Sequence, residues 1–360
     1  VAGTTEAAAG LGEDVQLSVL DLVPVRSDQA SADAVAASLS LAKVADELGY
    51  TRYWLAEHHN MPAVGSTNPP VLIAMIAAAT QRIRVGSGGV MLPNHAPLVI
   101  AEQFALLEAA YPGRIDLGLG RAPGTDPVTN WALRHGGPVG ENAVERFPEY
   151  VENVLAMMSP GGVGLSVGGR SHELRATPAA ASEATVWLLG SSDFSARLAA
   201  RMGLPYVFAH HFSGSGTAEA LALYRSQFQP SPELGPEMSQ PRTFLTVNAV
   251  VAETAAEARR RALPQLLSMV ALRTGGPLTP LRLVEDAEAV EIPEAHRGLA
   301  DAMLAKWVVD DAESARKRIA ELAATYGVDE VMVNPIAGAA RGTDPRTAPA
   351  REETLRLLVD

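Results

Sequence analysis

The sequence predicts an α/β chain closed into a (β/α)8 TIM barrel with insertion loops. Three observations carry the prediction. Short runs rich in branched and aromatic residues alternate with amphipathic helical stretches, which implies strands paired in parallel. Eight such units follow one another, and eight favour closure over an open doubly wound sheet. Across 360 residues, 47% are hydrophobic and 19% charged, enough apolar material to fill a barrel of that size.

The first strand is QLSVLDL (16–22). A helix follows over 31–48, where Val35, Leu39, Ala42, Val44 and Leu48 recur near helical spacing and Gly49 stops it. TRYWLAE (51–57) is strand two, and PVLIAMIAAATQ (70–81) its helix. IRVGSGGVML (83–92) is strand three, with three glycines inside it. LVIAEQFALLEAAYPG is a helix with a Pro-Gly stop, and RIDLGLG (114–120) is strand four. A helix over 146–158 precedes TVWLLG (185–190), helix FSARLAARMG and strand PYVFAH (205–210). A helix at 217–228, strand TFLTVNAVVA (243–252) and a helix at 254–268 come next. Helix 311–327 and strand VDEVMVNP (328–335) complete the series.

The barrel domain spans 15–340, and two stretches inside it break the rhythm. Residues 159–184 and 269–306 are rich in Gly, Pro and acids and read as long loops, the second a lid. Residues 1–14, VAGTTEAAAGLGED, lack a basic start and an apolar run, so they read as a loose tail rather than a signal peptide. Residues 341–360 read as a C-terminal helical extension.

The net charge of −12, without a Lys/Arg cluster, argues against nucleic acid. The absence of cysteine excludes disulfides, thiolate metal sites and a cysteine nucleophile. No run reaches the roughly 18 apolar residues of a membrane span. These features predict a soluble, cytoplasmic protein.

In a barrel, chemistry belongs at the carboxyl ends of the strands. That places Glu57, His58 and His59, Gly88 and Gly89, Gly120 and Arg121, Ser191 and Ser192, His210 and His211, and Asn334 on one rim. The run WLAEHHN (54–60) ends in a carboxylate and two adjacent histidines. Neighbours on a strand face opposite ways, so His58 and His59 do not easily share a metal, and no H-x-x-x-H spacing supports one. They read either as a structural pair or as one general base near neutral pH with its neighbour.

LLGSSDFSARLAA (188–200) takes a strand into a helix start, where amides and the hydroxyls of Ser191, Ser192 and Ser195 suit an anion such as a phosphate. Ordinary N-capping is the competing reading. DLGLGRAPG is a poor dinucleotide fingerprint, because Pro123 and Pro127 obstruct the helix that should follow. Arg121 at that strand end faces either an anion, a planar ring or a structural salt bridge. In VGSGGVMLP, glycines inside a buried strand suggest a bulge or close approach of a ligand.

Taken together, WLAEHHN, TNPPVLIA, RVGSGGVMLPNHAPLVIAEQFALLE, GRIDLGLGRAPG and GSSDFSARLAARMGLP resemble the bacterial luciferase-like flavin monooxygenases, in the family's order and spacing. The likeness covers about 15–340 and is nearer the single-polypeptide branch, which includes polyketide-modifying actinomycete enzymes of secondary metabolism. It implies an FMNH2- and O2-dependent monooxygenase that passes one oxygen atom to a small organic substrate through a peroxyflavin. It also implies a homodimer and a separate NAD(P)H:flavin reductase that delivers reduced FMN.

Residue by residue, the resemblance makes His58 the base that steadies the flavin oxygen adduct, with His59 in support. It puts Gly88–Gly89 where a non-proline cis peptide lies under the isoalloxazine, and Arg121 near the flavin phosphate. Ser192 and Ser195 become phosphate-binding hydroxyls with Ser191 beside them, and Asn68 falls in the family's turn pattern. The reactive cysteine of the light emitters is missing, and glycines replace the usual alanines of the cis pair. Three rivals stand beside this reading: a deazaflavin (F420) hydride-transfer enzyme of the same fold, a metal-dependent barrel hydrolase using His58, His210 and carboxylates, and a flavin- or partner-binding protein without turnover.

Overall fold

A computed structural model describes residues 15–122, 126–133, 142–212 and 214–359. The expected tail 1–14 lies outside the described residues. The chain opens with β1 (Gln16–Asp21), α1 (Ser31–Glu47), β2 (Arg52–Leu55), α2 (Pro69–Ala79) and β3 (Arg84–Ser87). Next come β4 (Val90–Met91), α3 (Pro97–Ala110), β5 (Ile115–Gly120), α4 (Pro127–Leu133), α5 (Asn142–Glu145) and α6 (Phe147–Met158). A hairpin, β6 (Val163–Val167) and β7 (Arg170–Leu174), precedes β8 (Thr185–Gly190), α7 (Asp193–Met202), β9 (Tyr206–Phe208) and α8 (Thr217–Gln227). The last part holds β10 (Thr243–Ala252), α9 (Ala255–Thr274), α10 (Val284–Glu288), α11 (Glu294–Leu304), β11 (Val308–Asp311), α12 (Ala312–Tyr326), β12 (Glu330–Pro335) and α13 (Pro349–Val359).

The parallel ring runs β1–β2–β3–β5–β8–β9–β10–β12 and back to β1, a closed (β/α)8 barrel. Closure rests on β1 against β12, from Gln16 beside Glu330 to Val19 beside Val333. The helices stop where the sequence supplies a left-handed residue: Gly203 ends α7 at φ 63° and Gly327 ends α12 at φ 60°.

Several elements depart from the sequence reading. The third strand is split, because the Gly88–Gly89 peptide is cis and pairing resumes only at Val90. The supposed loop 159–184 contains the β6–β7 hairpin, whose Gly168–Gly169 turn has φ 59° and 76°, both positive as a tight hairpin turn requires. The expected loop 269–306 is mostly helix. Helix α9 runs through Pro264 to Thr274, and α10 and α11 follow it. Strand β11, which carries two aspartates, pairs with β10 outside the ring. The C-terminal α13 is packed, with Leu355 and Leu358 fully buried.

The barrel interior is layered. At the lower end a charged layer is closed on itself: Arg52 meets Asp116 at 2.8 Å and Glu330 at 2.6 Å, and Arg84 meets Asp116 at 2.6 Å. Ser18 Oγ donates to Glu330 at 2.5 Å and Trp54 Nε1 to Asp116 at 3.0 Å. Above it sit Trp54, Trp187 and Phe244, with ring centroids 5.1–5.6 Å apart. The Arg52 guanidinium underlies them, 5.0 Å from the Trp187 ring. Above the aromatic layer the barrel opens.

Candidate active site

That opening is a cavity of about 590 Å³ whose floor is Leu20, Trp54, Val207 and Met332. His58, Gly88, Gly89, Arg121, Ser191, Ser192 and Ser195 all reach its wall. His59 and Asn68 do not. Asn68 instead caps α2, its Oδ1 accepting from the Val71 N–H at 3.4 Å beside Pro69 and Pro70.

Strand β2 ends at Leu55, so Glu57, His58 and His59 lie in an extended segment past it. His58 is anchored by its backbone N–H to Ser66 O at 2.9 Å, and the Ser66 hydroxyl returns to Ala56 O. The His58 Nδ1 is buried without a hydrogen-bond partner. Burial lowers the pKa of this imidazole, only partly opposed by the Glu57 carboxylate, so the ring is neutral at pH 7.

His59 turns back to Glu57, which acts as a hub. His59 Nε2 and His95 Nε2 donate to Glu57 Oε1 at 2.8 and 2.7 Å, and the Met91 N–H donates to Oε2 at 2.9 Å. Burial works against the Glu57 anion, but these hydrogen bonds hold its pKa down at about 2. The hub fastens β4, and with it the glycine pair, to the end of β2.

The glycines form a shelf. A Cβ on Gly88 would come 2.9 Å from Leu20 Cδ1, and one on Gly89 would come 2.7 Å from Gly118 O. On the neighbouring strand Arg121 leaves β5 and stacks its guanidinium 4.1 Å from the Phe194 ring centroid, in the first turn of α7. Ser192 is the N-cap residue of α7, yet its side chain makes no capping hydrogen bond. Ser195, one turn on, is buried against Gly190. Arginine, hydroxyls and helix amides therefore converge on an anion-sized corner.

Sequence reading missed His95, Phe194, Thr246 and Asn248. The last two carried a signal: residues 246 and 248 sit two apart on β10 and share its inward face. His210 is off the cavity, its Nδ1 on Thr217 Oγ1 at 2.8 Å, whereas His211 is on it. Among the described residues, no group of three or more His, Cys, Asp or Glu gathers to hold a metal ion. Nor is any helix among them long and apolar enough to cross a membrane.

A closed (β/α)8 barrel that gathers a glycine pair, a neutral histidine, an arginine and serines around one cavity at its strand ends has the arrangement of a barrel enzyme, whose chemistry sits on that rim. Comparison with known proteins places the chain within that class. The family described as luciferase-like monooxygenase matches residues 15–330. A luciferase-like monooxygenase of Escherichia coli K12 is 39% identical over 89% of this chain and 91% of its own length. The uncharacterised YvbT of Bacillus subtilis is 42% identical over 89% and 91%. The crystal structure of apo-MsnO8 superposes with a TM-score of 0.80 at 34% identity, covering 96% of this chain and 97% of that one. A diketocamphane Baeyer–Villiger monooxygenase in complex with FMN shares the fold, at TM-score 0.70 and 17% identity. The chain belongs to the luciferase-like monooxygenase family and is a flavin-dependent monooxygenase.

Proposed function

We propose that the flavin is FMN, supplied in reduced form by a separate NAD(P)H:flavin reductase, and that the organic substrate is oxygenated in the same cavity. The observation that carries this reading is the pairing of an anion corner with a glycine shelf across one 590 Å³ cavity. The residues fit the group. Arg121, Ser191, Ser192, Ser195 and the α7 amides match a terminal phosphate, and Gly88 and Gly89 give the cavity wall bare backbone, a surface a flat ring can lie against.

When bound, reduced FMN supplies the electron pair with which O2 is split, one atom entering the substrate and the other leaving as water. The protein's own contributions are three. Arg121 and the serines hold the phosphate, so the ring is positioned from its tail. Neutral His58, whose ring lines the cavity, holds or moves a proton there in the manner of a general base. The apolar floor and walls exclude water, which otherwise diverts activated oxygen to hydrogen peroxide.

The full chain, loaded anaerobically with FMNH2 and mixed rapidly with oxygenated buffer, should reoxidise through a phase that free FMNH2 lacks. Reoxidation at the free-flavin rate, together with preferential binding of F420, would refute the proposal.

We further propose that two copies pair through α2 and α3. These neighbouring helices leave Val71, Met75, Val99 and Leu106 exposed at 57, 40, 47 and 57%, an apolar face a second copy would cover. Leu106→Glu should shift sedimentation from dimer to monomer, and an unchanged dimer would exclude this face.

A further inference from the structure

We infer that His211 is the substrate-reading acceptor of the cavity: its Nε2 takes a hydrogen bond from a hydroxyl on an otherwise apolar, uncharged molecule. The inference rests on the proposed function only in treating this cavity as the substrate pocket.

The ring order places β9 diametrically opposite β2. His58 and His211, which follow those strands, therefore approach one cavity from opposite sides. We assign the tautomer of His211 from its neighbours: Thr246 Oγ1 lies 3.2 Å from Phe208 O and 2.9 Å from His211 Nδ1, and with its one proton directed to Phe208 O it accepts from His211 Nδ1. With the proton on Nδ1, Nε2 carries a lone pair. That nitrogen has no partner among the described residues, and His211 lines the cavity.

The ring is also fixed through its backbone. Asn248 Nδ2 donates to His211 O at 3.0 Å, and Asn334 Nδ2 holds Asn248 Oδ1 at 2.9 Å. Three strands thus hold the imidazole in place. Burial, with His58 and His210 beside it disfavouring a further positive charge, lowers its pKa to about 4, so the ring is neutral across the neutral range.

The rest of the wall specifies what carries the donor. Met61, Val64, Met269, Leu272, Leu278 and Leu281 make the side of the cavity away from the anion corner. The charged side chains on the wall are all engaged or assigned. Glu57 is held by His59, His95 and Met91, and Arg351 by Asp21 at 2.6 Å and Pro335 O at 2.7 Å. Arg121 serves the anion corner. Among the described residues no uncommitted charge remains on the wall to balance a charged substrate, and burying an unbalanced one is costly. A neutral apolar body with one hydroxyl is the complementary chemistry.

The test is calorimetric titration of the full chain, with and without FMN, using 1-naphthol and 1-methoxynaphthalene, which share the ring and oxygen and differ in the hydroxyl donor and one methyl group. Naphthol should bind about tenfold more tightly, the worth of one neutral hydrogen bond. His211→Leu should abolish the preference while leaving methoxynaphthalene affinity nearly unchanged. His211→Gln, which restores an acceptor, should recover part of it. Thr246→Val should weaken it by freeing the tautomer. Equal affinities in the unaltered protein, no binding of either probe, or a preference that survives His211→Leu would each overturn the inference. FMN binding is read in a separate titration, so a failure of the flavin reading shows there and leaves the naphthol comparison standing.

Discussion

The two ends of the barrel treat buried polar groups in opposite ways. At the lower end Arg52, Asp116, Glu330 and Arg84 form a closed set in which the Asp116 and Glu330 carboxylates each meet a guanidinium and a second donor. At the upper end His58 Nδ1 is buried with no partner, and His211 turns a lone pair to an open cavity. Both ends use residues that are expensive to desolvate. The lower end is satisfied by the protein itself, which marks a structural role; the upper end leaves valences for something that binds. If that contrast is right, substitutions should cost stability below and function above.

The largest loss of stability is expected from Arg52→Leu. It leaves Asp116, fully buried, and Glu330, 6% exposed, without their shared cation. Breaking a buried pair in this way costs about 3–5 kcal/mol, and the urea midpoint should fall accordingly. A midpoint within error of the unaltered protein would show that the lower cluster is dispensable.

Glu57 stands between the two ends, since it is fully paired but belongs to the rim. Its folded pKa of about 2 lies below the ordinary 4.5. The sign follows: the folded state favours the anion, so this stability is present above pH 4.5 and is lost as pH falls towards 2. The difference corresponds to about 3 kcal/mol. Glu57→Gln should therefore lower stability at neutral pH and remove that part of the acid slope, as read from urea unfolding at a series of pH values.

Gly118 connects floor and shelf. A Cβ there would run into the Ser87 carbonyl and come 2.8 Å from Leu189 Cδ1. Gly118→Ala should cost about 1–3 kcal/mol through overpacking. It should also weaken FMN binding, because Gly89 rests on the Gly118 carbonyl. A variant that binds FMN normally would show that the shelf is not seated in this way.

These cases also show what the sequence made legible. The eight ring strands announce themselves by short β-rich runs between helices, and topology then brings His58, Gly88, Gly89, Arg121 and the serines to one rim. What stayed hidden depends on distant side chains or on local signals that mislead. Glu57 meets His95 from 38 residues away, and Asp21 meets Arg351 from 330. Helix α9 runs past the expected end at 268 to Thr274, strand β11 falls in a stretch without a strand signal, and the glycines of 159–184 conceal a hairpin. His59 turns away because β2 ends early, so alternation along a strand does not govern it.

The smallest effect on stability is expected at the upper end, from His58→Ala. The ring contributes no side-chain hydrogen bond, and its removal also removes a buried nitrogen without a partner. Lost packing and relief of that unpaired atom oppose each other, so the change should stay within about 1 kcal/mol. Function should respond differently: coupled oxygenation should drop by about 10²–10⁴-fold, the usual worth of a positioned base, while FMN still binds. In the unaltered enzyme the acid limb of the rate profile should lie below the ordinary imidazole value of 6.5, because burial favours the neutral ring. A variant that loses as much stability as Arg52→Leu, or that oxygenates normally, would mean the unpartnered nitrogen is a packing accident, and the distinction between the two ends would no longer hold.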